Sequence, residues 1–402
     1  MDVYPNKRNS WLSKVPEVTI FFWIIKVLCT TVGETFSDYL SVNVGLGLPL
    51  TTGIMGIAFV LVLFLQFKAS RYIPFLYWLT VVLISVFGTL VTDNLTDGIG
   101  VPLETSTIVF AILLGVTLLV WFLYERTLSI HSIYTRRREA FYWLTILFTF
   151  ALGTAVGDLY SEQLGLGYLN TGILVVAIIA VVFLAWKFVK LNEILAFWTV
   201  YILTRPLGAS LGDYLSQSKL NGGLGLGATL TSVIFLIAIL AIIAYLAVSK
   251  IDLLSTKEGT AAPIRVAGNR NAVLTQTLLV VCLFLVACVG GYEWRSNRIA
   301  SQPVSSQATL SGQLTAFIQL EEEMVNLVNN HDAASAKPQA DQLERDWDKA
   351  EPTLRKIDRK TWTDIDGTID GVLAAVRSKK PDEGKCRNVL ADSLNVLNAA
   401  NQ

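Results

Sequence analysis

The chain has 402 residues, of which 53% are hydrophobic and only 16% are charged, and its mean hydropathy is +0.52. Soluble proteins carry about 25% charged residues on average, so this composition excludes an ordinary soluble protein and indicates an integral membrane protein. The 32 basic and 32 acidic residues cancel, which excludes a general attraction of the whole chain to nucleic acid.

Nine apolar stretches are long enough to cross a membrane as helices, because the hydrocarbon core requires about 20 residues per helix. They comprise residues 18–40, 51–67, 72–92, 105–124, 140–160, 169–186, 192–214, 229–248 and 274–292. A polar tether is expected over residues 293–306. Beyond it, apolar positions recur at helical spacing in 308–330, 337–358, 361–379 and 384–400, which predicts a soluble helical bundle.

Basic residues are distributed unevenly between the connections. They follow the second, fourth, sixth and eighth stretches, as in Arg136, Arg137 and Arg138, and are nearly absent after the odd-numbered stretches. The positive-inside rule therefore places the N-terminus in the cytoplasm, and nine spans place the C-terminal bundle outside. We predict a multi-pass protein of a bacterial inner membrane with an extracytoplasmic, periplasmic domain.

One pattern occurs four times in the first 248 residues. A tryptophan precedes an aspartate by fifteen positions, a glycine precedes it by five, and a hydroxyl side chain follows it by three. The aspartates are Asp38, Asp93, Asp158 and Asp213; the glycines are Gly33, Gly88, Gly153 and Gly208; the hydroxyl residues are Ser41, Thr96, Ser161 and Ser216. A small residue also precedes each aspartate, so glycine and small residue share one helix face that allows close helix packing.

A glycine-rich break and a second apolar helix complete each unit, with a threonine such as Thr52 as the candidate N-cap. Each unit holds two spans, so all four insert in the same direction. The fold class is therefore an all-α polytopic membrane protein of nine helices, with four parallel two-helix repeats in a pseudo-fourfold arrangement. The predicted organisation is a cytoplasmic N-terminus 1–16, repeats 17–68, 69–124, 139–187 and 188–248, cytoplasmic loops 125–138 and 249–273, a ninth helix 274–292 and an extracytoplasmic domain 293–402.

The aspartates lie about 30 Å along their helices, near the outer boundary of the hydrocarbon. Four related carboxylates with nearby hydroxyls would form a ring of hard oxygen ligands, which suits Mg²⁺, Mn²⁺ or Ca²⁺. The alternative is structural, because an aspartate near a helix end can hydrogen-bond the following turn. Acidic residues within a membrane are costly, however, and for that reason usually functional.

Three residues break the fourfold pattern. Glu34 adds a fifth carboxylate one helical turn before Asp38, and it is the best candidate for proton coupling. Lys26 is expected to extend toward the cytoplasmic interface. Arg205 lies eight residues before Asp213 and is interpreted either as a mobile counter-ion or as a partner in an interhelical ion pair.

The segments Gly33–Leu40, Lys14–Glu17 and Gly45–Gly47 resemble a family of bacterial repeat proteins usually labelled uncharacterised membrane-anchored proteins. The resemblance covers residues 14–248, and the sequence GETFSD is its most specific part. It implies a transporter associated with metal handling, manganese in particular. The ninth span and the C-terminal bundle lie outside the resemblance.

We therefore expect a secondary transporter for a divalent cation, with manganese favoured, which would be a substrate rather than a cofactor. No catalytic residue, bound cofactor or nucleic-acid partner is expected; the lipid bilayer and the cation are the expected partners, and a homo-oligomer is left open. Two alternatives remain: a cation channel, or a membrane-anchored sensor or scaffold that presents the C-terminal domain. A membrane-embedded enzyme is disfavoured by the lack of a nucleophile context.

Overall fold

The computed structural model describes residues 14–217, 223–252, 270–300, 310–378 and 381–402. Within these ranges the chain is all helical and contains no strand, as predicted. The predicted cytoplasmic N-terminus and the loop 249–273 lie largely outside the described residues.

Eight helices form the four repeats. They are α1 (Ile20–Asp38), α2 (Leu48–Lys68), α3 (Pro74–Asp93), α4 (Leu103–Glu125), α5 (Arg136–Asp158), α6 (Tyr168–Val189), α7 (Glu193–Ser216) and α8 (Ala228–Ser249). We call the end at which α1, α3, α5 and α7 begin the tryptophan end, and the end at which they finish the aspartate end. Together with a ninth helix, these are the described helices that are long and apolar enough to span a membrane.

The odd-numbered helices form the interior of the repeat domain. In the most apolar 18-residue segment of each odd-numbered helix of the repeats, 61% of the residues are buried. In the corresponding segments of the even-numbered helices, only 11–28% of the residues are buried. The even-numbered helices expose large apolar side chains such as Ile57 and Val189. In a bilayer those side chains would meet lipid tails, so the apolar surface carries no penalty there.

The helices pack in a closed cycle. α1 packs against α3, α3 against α5, α5 against α7, and α7 against α1. Each even-numbered helix covers the first helix of the next repeat: α2 packs on α3, α4 on α5, α6 on α7, and α8 on α1.

The repeat glycines lie at these contacts. A side chain added at the glycine of one repeat would meet the residue eight positions before the aspartate of the next: Gly33 faces Ser85, Gly88 faces Phe150, Gly153 faces Arg205, and Gly208 faces Thr30. The glycines therefore set the distance between the inner helices, as the small-residue face predicted.

A π-helical turn follows the aspartate in the first three repeats, at Tyr39–Asn43, Asn94–Gly98 and Leu159–Gln163. Glycines with positive φ then reverse the chain, as at Gly45 (78°) and Gly47 (73°). The predicted threonine N-cap is wrong: Gly47 is the N-cap of α2, and Thr52 lies inside the helix, donating to the Leu48 carbonyl at 2.7 Å. Glycine adopts the positive φ of this turn without steric cost, so α2 begins directly after Gly47 and before Thr52.

The remaining helices are α9 (Arg270–Ala300), α10 (Thr315–Asn329), α11 (Lys337–Ile357), α12 (Arg359–Val376) and α13 (Glu383–Asn401). α9 runs from the tryptophan end, where Gln276 accepts a hydrogen bond from the Asn192 backbone, to the aspartate end, where Arg295 donates to the Leu164 carbonyl. The predicted tether begins too early, because no glycine or proline interrupts the helix after residue 291, and α9 continues to Ala300.

Helices α10–α13 pack around one apolar core that includes Met324, Leu343, Trp347 and Leu390. We call these four helices the C-terminal bundle. α12 contacts the π-helical turns of repeats 1 and 2, and α11 contacts that of repeat 3. The bundle therefore covers the aspartate end of the repeat domain.

We predict that Gly208→Ala destabilises the repeat domain. The added methyl group would overlap Oγ1 of the Thr30 side chain, and overpacking of this kind costs about 1–3 kcal/mol. The thermal midpoint in detergent measures the effect. Gly115→Ala on α4 is the control, because its methyl group would meet no atom within 4 Å. Equal midpoints for the two variants would contradict the packing described above.

Candidate functional site

The four repeat aspartates lie together at the aspartate end. Asp38, Asp93 and Asp158 are the last α-helical residues before the π-helical turns, and Asp213 lies in the last turn of α7. Electrostatic interactions join each aspartate to its two neighbours in the cycle, and Glu34 interacts with all four. The structure therefore brings the five predicted carboxylates into one region.

The carboxylates do not converge on a single coordination point. Among the described residues, no group of three or more His, Cys, Asp or Glu side chains could hold a metal ion together. Asp38, Asp93 and Asp158 are half-buried rather than enclosed. Their role as metal ligands stays a prediction.

Three of the four predicted hydroxyl groups are engaged by the backbone. Ser41 donates to the Ser37 carbonyl at 2.8 Å, Thr96 to the Thr92 carbonyl at 3.1 Å, and Ser161 to the Gly157 carbonyl at 2.7 Å. The oxygen of Ser216 is buried and has no partner among the described residues. The hydroxyl groups thus satisfy carbonyl groups at the π-helical turns, and only their oxygen lone pairs remain for a ligand.

A buried ion pair lies one helical turn below the aspartates. Arg205 is 0% exposed, and its Nη2 donates to Glu34 Oε2 at 2.8 Å. The same nitrogen donates to the hydroxyl groups of Thr89 and Thr154. Glu34, Thr89 and Thr154 occupy the same position in the first three repeats, four residues before the aspartate, and the fourth repeat has Ala209 there. Arg205 therefore forms an interhelical ion pair with Glu34, and its role as a mobile counter-ion stays a prediction.

Further toward the tryptophan end, the axis between the inner helices is filled. Lys26 is 1% exposed, and its Nζ lies 3.9 Å from the centre of the Phe150 ring and 4.4 Å from that of Tyr201. The prediction that Lys26 reaches the cytoplasmic interface is therefore wrong. Aromatic side chains of α5 and α7 surround the ammonium group, and cation–π attraction replaces contact with water.

The C-terminal bundle adds acidic residues opposite the aspartates. Asp38 interacts with Glu344 and Asp370, and Arg355 Nη2 lies 4.0 Å from Asp97 Oδ1. The surrounding protein and the charges of Asp97 and Glu344 raise the pKa of Asp370 to about 7, although its side chain remains accessible. We call this region, between the π-helical turns and helices α11 and α12, the acidic interface.

Several features of the site were missed by the sequence analysis. The contacts of Thr89 and Thr154 with Arg205 follow from helix packing, although their alignment with Glu34 in the repeats could have indicated them. The role of Arg355 depends on how the bundle docks. Among the acids of the C-terminal bundle, Asp366 is half-buried and accepts a hydrogen bond from Trp347 Nε1 at 2.7 Å, a contact that the helical spacing does not indicate.

We predict that Glu34→Ala destabilises the protein by about 3–5 kcal/mol, because it leaves the Arg205 guanidinium buried without its counter-ion. The free energy of unfolding in detergent measures this. The double variant Glu34→Met/Arg205→Met removes both charges and should lose less than the sum of the single variants. Glu323→Ala, on the exposed face of α10, is the matched control. Additive losses would show that the two side chains do not form a pair.

A protein-family model described as "Repeat of Unknown Function (DUF347)" matches the chain four times, at residues 21–72, 76–127, 141–192 and 196–252. Each match contains one inner helix with its aspartate and the outer helix that follows. No curated protein and no solved structure matches the chain. The four matches together cover more than half of the residues. The chain therefore belongs to the DUF347 repeat family.

Proposed function

We propose that the protein is a secondary transporter of a divalent metal cation, with manganese as the first ion to test. The cation would enter at the aspartate end and move along the axis between α1, α3, α5 and α7, which we interpret as a pseudo-fourfold bundle. In this proposal the tryptophan end faces the cytoplasm of a bacterial cell, and the C-terminal bundle lies on the outer side of the inner membrane.

The observation that carries the proposal is the group of five carboxylates at one end of the axis. Four repeat-related aspartates and Glu34 interact with one another, and Arg205 provides a counter-charge only to Glu34 through a direct contact. Carboxylates that are held near one another repel, and a cation that binds among them reduces this repulsion. Carboxylate oxygens suit a hard divalent cation, and acidic residues within membranes usually mark ion pathways.

The Arg205 layer favours a carrier over an open channel. Arg205, Thr89 and Thr154 are fully buried, so the axis is closed below the aspartates. A positive side chain in the path also opposes cation passage. We propose that cation binding to the aspartates draws Glu34 away from Arg205, and that this change opens the axis toward the cytoplasm. The proton gradient or membrane potential would supply the energy.

The rival function is a sensor, and the docked C-terminal bundle is the observation that favours it. A sensor would bind the cation at the acidic interface and report through α11 and α12 without moving it across the membrane. A channel requires the closed axis to open without an alternating cycle. Flux measurements separate all three functions.

We predict that purified protein in liposomes takes up Mn²⁺ in a saturable way, and that Asp→Asn variants at positions 38, 93, 158 and 213 lose most of this flux. Removal of one charge weakens cation binding in the group, while asparagine keeps the shape of the side chain. Uptake of radioactive Mn²⁺, with Mg²⁺ and Ca²⁺ as competitors, measures the effect.

Asp392→Asn on the exposed face of α13 is the matched control and should transport as the wild type does. Absence of flux from folded wild-type protein, with and without a pH gradient or potential, would move the assignment to the sensor. Flux that does not saturate would favour the channel.

We predict that Arg355→Gln increases the apparent affinity for Mn²⁺ by about two- to fivefold. Arg355 donates to Glu351 Oε1 at 2.6 Å and lies 4.0 Å from Asp97 beside the aspartates, and its partly exposed pair with Asp97 is worth up to ~1 kcal/mol. Its loss should leave more negative charge for the cation. Arg387→Gln, which affects a pair on the exposed face of α13, is the control. The thermal midpoint reports whether the bundle stays folded, because Arg355 lies over the Trp362 ring and its loss changes the tryptophan signal directly.

A further inference from the structure

A row of buried phenol groups connects the centre of the repeat domain with the tryptophan end. Tyr77, Tyr142 and Tyr201 are each 0% exposed and belong to three different inner helices. The hydroxyl groups of Tyr77 and Tyr142 are hydrogen-bonded to each other. Tyr142 also interacts with Tyr201, although the Tyr201 hydroxyl makes no hydrogen bond of standard geometry among the described residues.

The row ends at a buried carboxylate near the surface of the tryptophan end. The Tyr72 ring packs edge-on against Tyr77, with ring centres 5.6 Å apart, and its hydroxyl donates to Asp252 Oδ2 at 2.6 Å. Asp252 is 2% exposed, and its burial raises the pKa of the carboxyl group, which favours the protonated form. Asp252 can therefore hold a proton at the end of the row.

Lys26 lies at the other end of the row. Its Nζ is buried, makes no hydrogen bond to the described residues, and lies against the Tyr201 ring. The titratable groups that interact with it are Cys29 on α1 and Arg205 and Tyr201 on α7. From α5 the Phe150 ring faces it, and Tyr245 of α8 is half exposed and packs on Phe21. None of these groups is a carboxylate, so the ammonium group has no counter-ion beside it in the part of the chain that the structure describes.

Arg205 and Lys26 are not equivalent in this respect. Arg205 is paired with the Glu34 carboxylate. As residue types, arginine is always charged, whereas a buried lysine can exchange its proton. The Phe150 ring lies between the two cations, 3.9 Å from Lys26 Nζ and 5.6 Å from Arg205 Cζ. Lys26 is thus the group of this pair that can change its charge.

We propose that Lys26 is a proton-binding site that exchanges its proton with the tryptophan end through Tyr201, Tyr142, Tyr77 and Tyr72. Each phenol accepts one proton and donates another, so the net change is transfer of one proton from Lys26 to Asp252, with no oxidation or reduction. Bridging waters complete two steps: the first, from Lys26 to the Tyr201 hydroxyl, because Nζ lies against the face of the ring, and the step between Tyr77 and Tyr72. The inference rests on the proposed transport function, because it assigns the proton that would be coupled to cation movement.

The test uses full-length protein in liposomes that contain a pH-sensitive dye, with Mn²⁺ as the probe. Two modes are compared: exchange of Mn²⁺ for Mn²⁺ at equal pH, which moves no net proton, and net Mn²⁺ uptake driven by a pH gradient. In the wild type both modes are expected. In Lys26→Arg, which keeps the charge but holds its proton, exchange should persist and pH-driven uptake should fall at least tenfold.

Tyr142→Phe interrupts the row without changing Lys26 and should slow pH-driven uptake while exchange persists. Tyr245→Phe, on the outer face of α8, is the matched control and should behave as the wild type. Wild type without exchange would refute the transport function itself. Exchange with unchanged pH-driven uptake in both Lys26→Arg and Tyr142→Phe would overturn the proton site alone. If Lys26→Arg fails to fold, the result for Tyr142→Phe decides in the same way.

Discussion

The buried Arg205 guanidinium is the interaction on which the arrangement of the inner helices depends. An arginine in the centre of a membrane helix is costly, and an unpaired one more so. Here the cost is offset by Glu34 from the first repeat and by hydroxyl groups from the second and third. To bind all three partners, Arg205 of the fourth repeat requires the inner helices of the other three repeats to lie at the same level along the axis. The packing of the repeats therefore depends on this one polar side chain.

This contact also explains how four similar repeats produce an asymmetric axis. The glycines give every pair of neighbouring inner helices the same close approach, so the backbone keeps its cyclic arrangement. The side chains that face the axis differ: Glu34, Thr89, Thr154 and Ala209 at one level, and Thr30, Ser85, Phe150 and Arg205 one turn below. Glu34 and Arg205 have uncharged counterparts in the other repeats, so their charge pair forms between one pair of repeats only. Duplication has preserved the scaffold, while divergence at axis positions has placed the charges.

The two ends of the axis differ in electrostatic character. At the aspartate end, five carboxylates of the repeat domain face further acids of the C-terminal bundle, and the bundle contributes Arg355 to this region. Toward the tryptophan end, Arg205 contacts Glu34 and two threonine hydroxyl groups, while Lys26 lies against the Phe150 and Tyr201 rings with no carboxylate beside it among the described residues. Under the proposed function, a cation would be attracted at one end and opposed further along, which is the electrostatic condition for a gated step rather than free conduction.

The sequence by itself determined the helical class, the apolar stretches, the four repeats and the repeat positions of the aspartates, because these features depend on composition and on spacing along the chain. It also identified the glycine faces, since the spacing of four residues fixes which side chains share a helix face. The tertiary structure decided which side chains meet. In the folded chain Arg205 pairs with Glu34 rather than with Asp213, and Lys26 is buried against aromatic rings. The C-terminal bundle packs its acids against the aspartate end. Such contacts join residues that are far apart in the chain, 171 positions in the case of Glu34 and Arg205, and no local spacing encodes them.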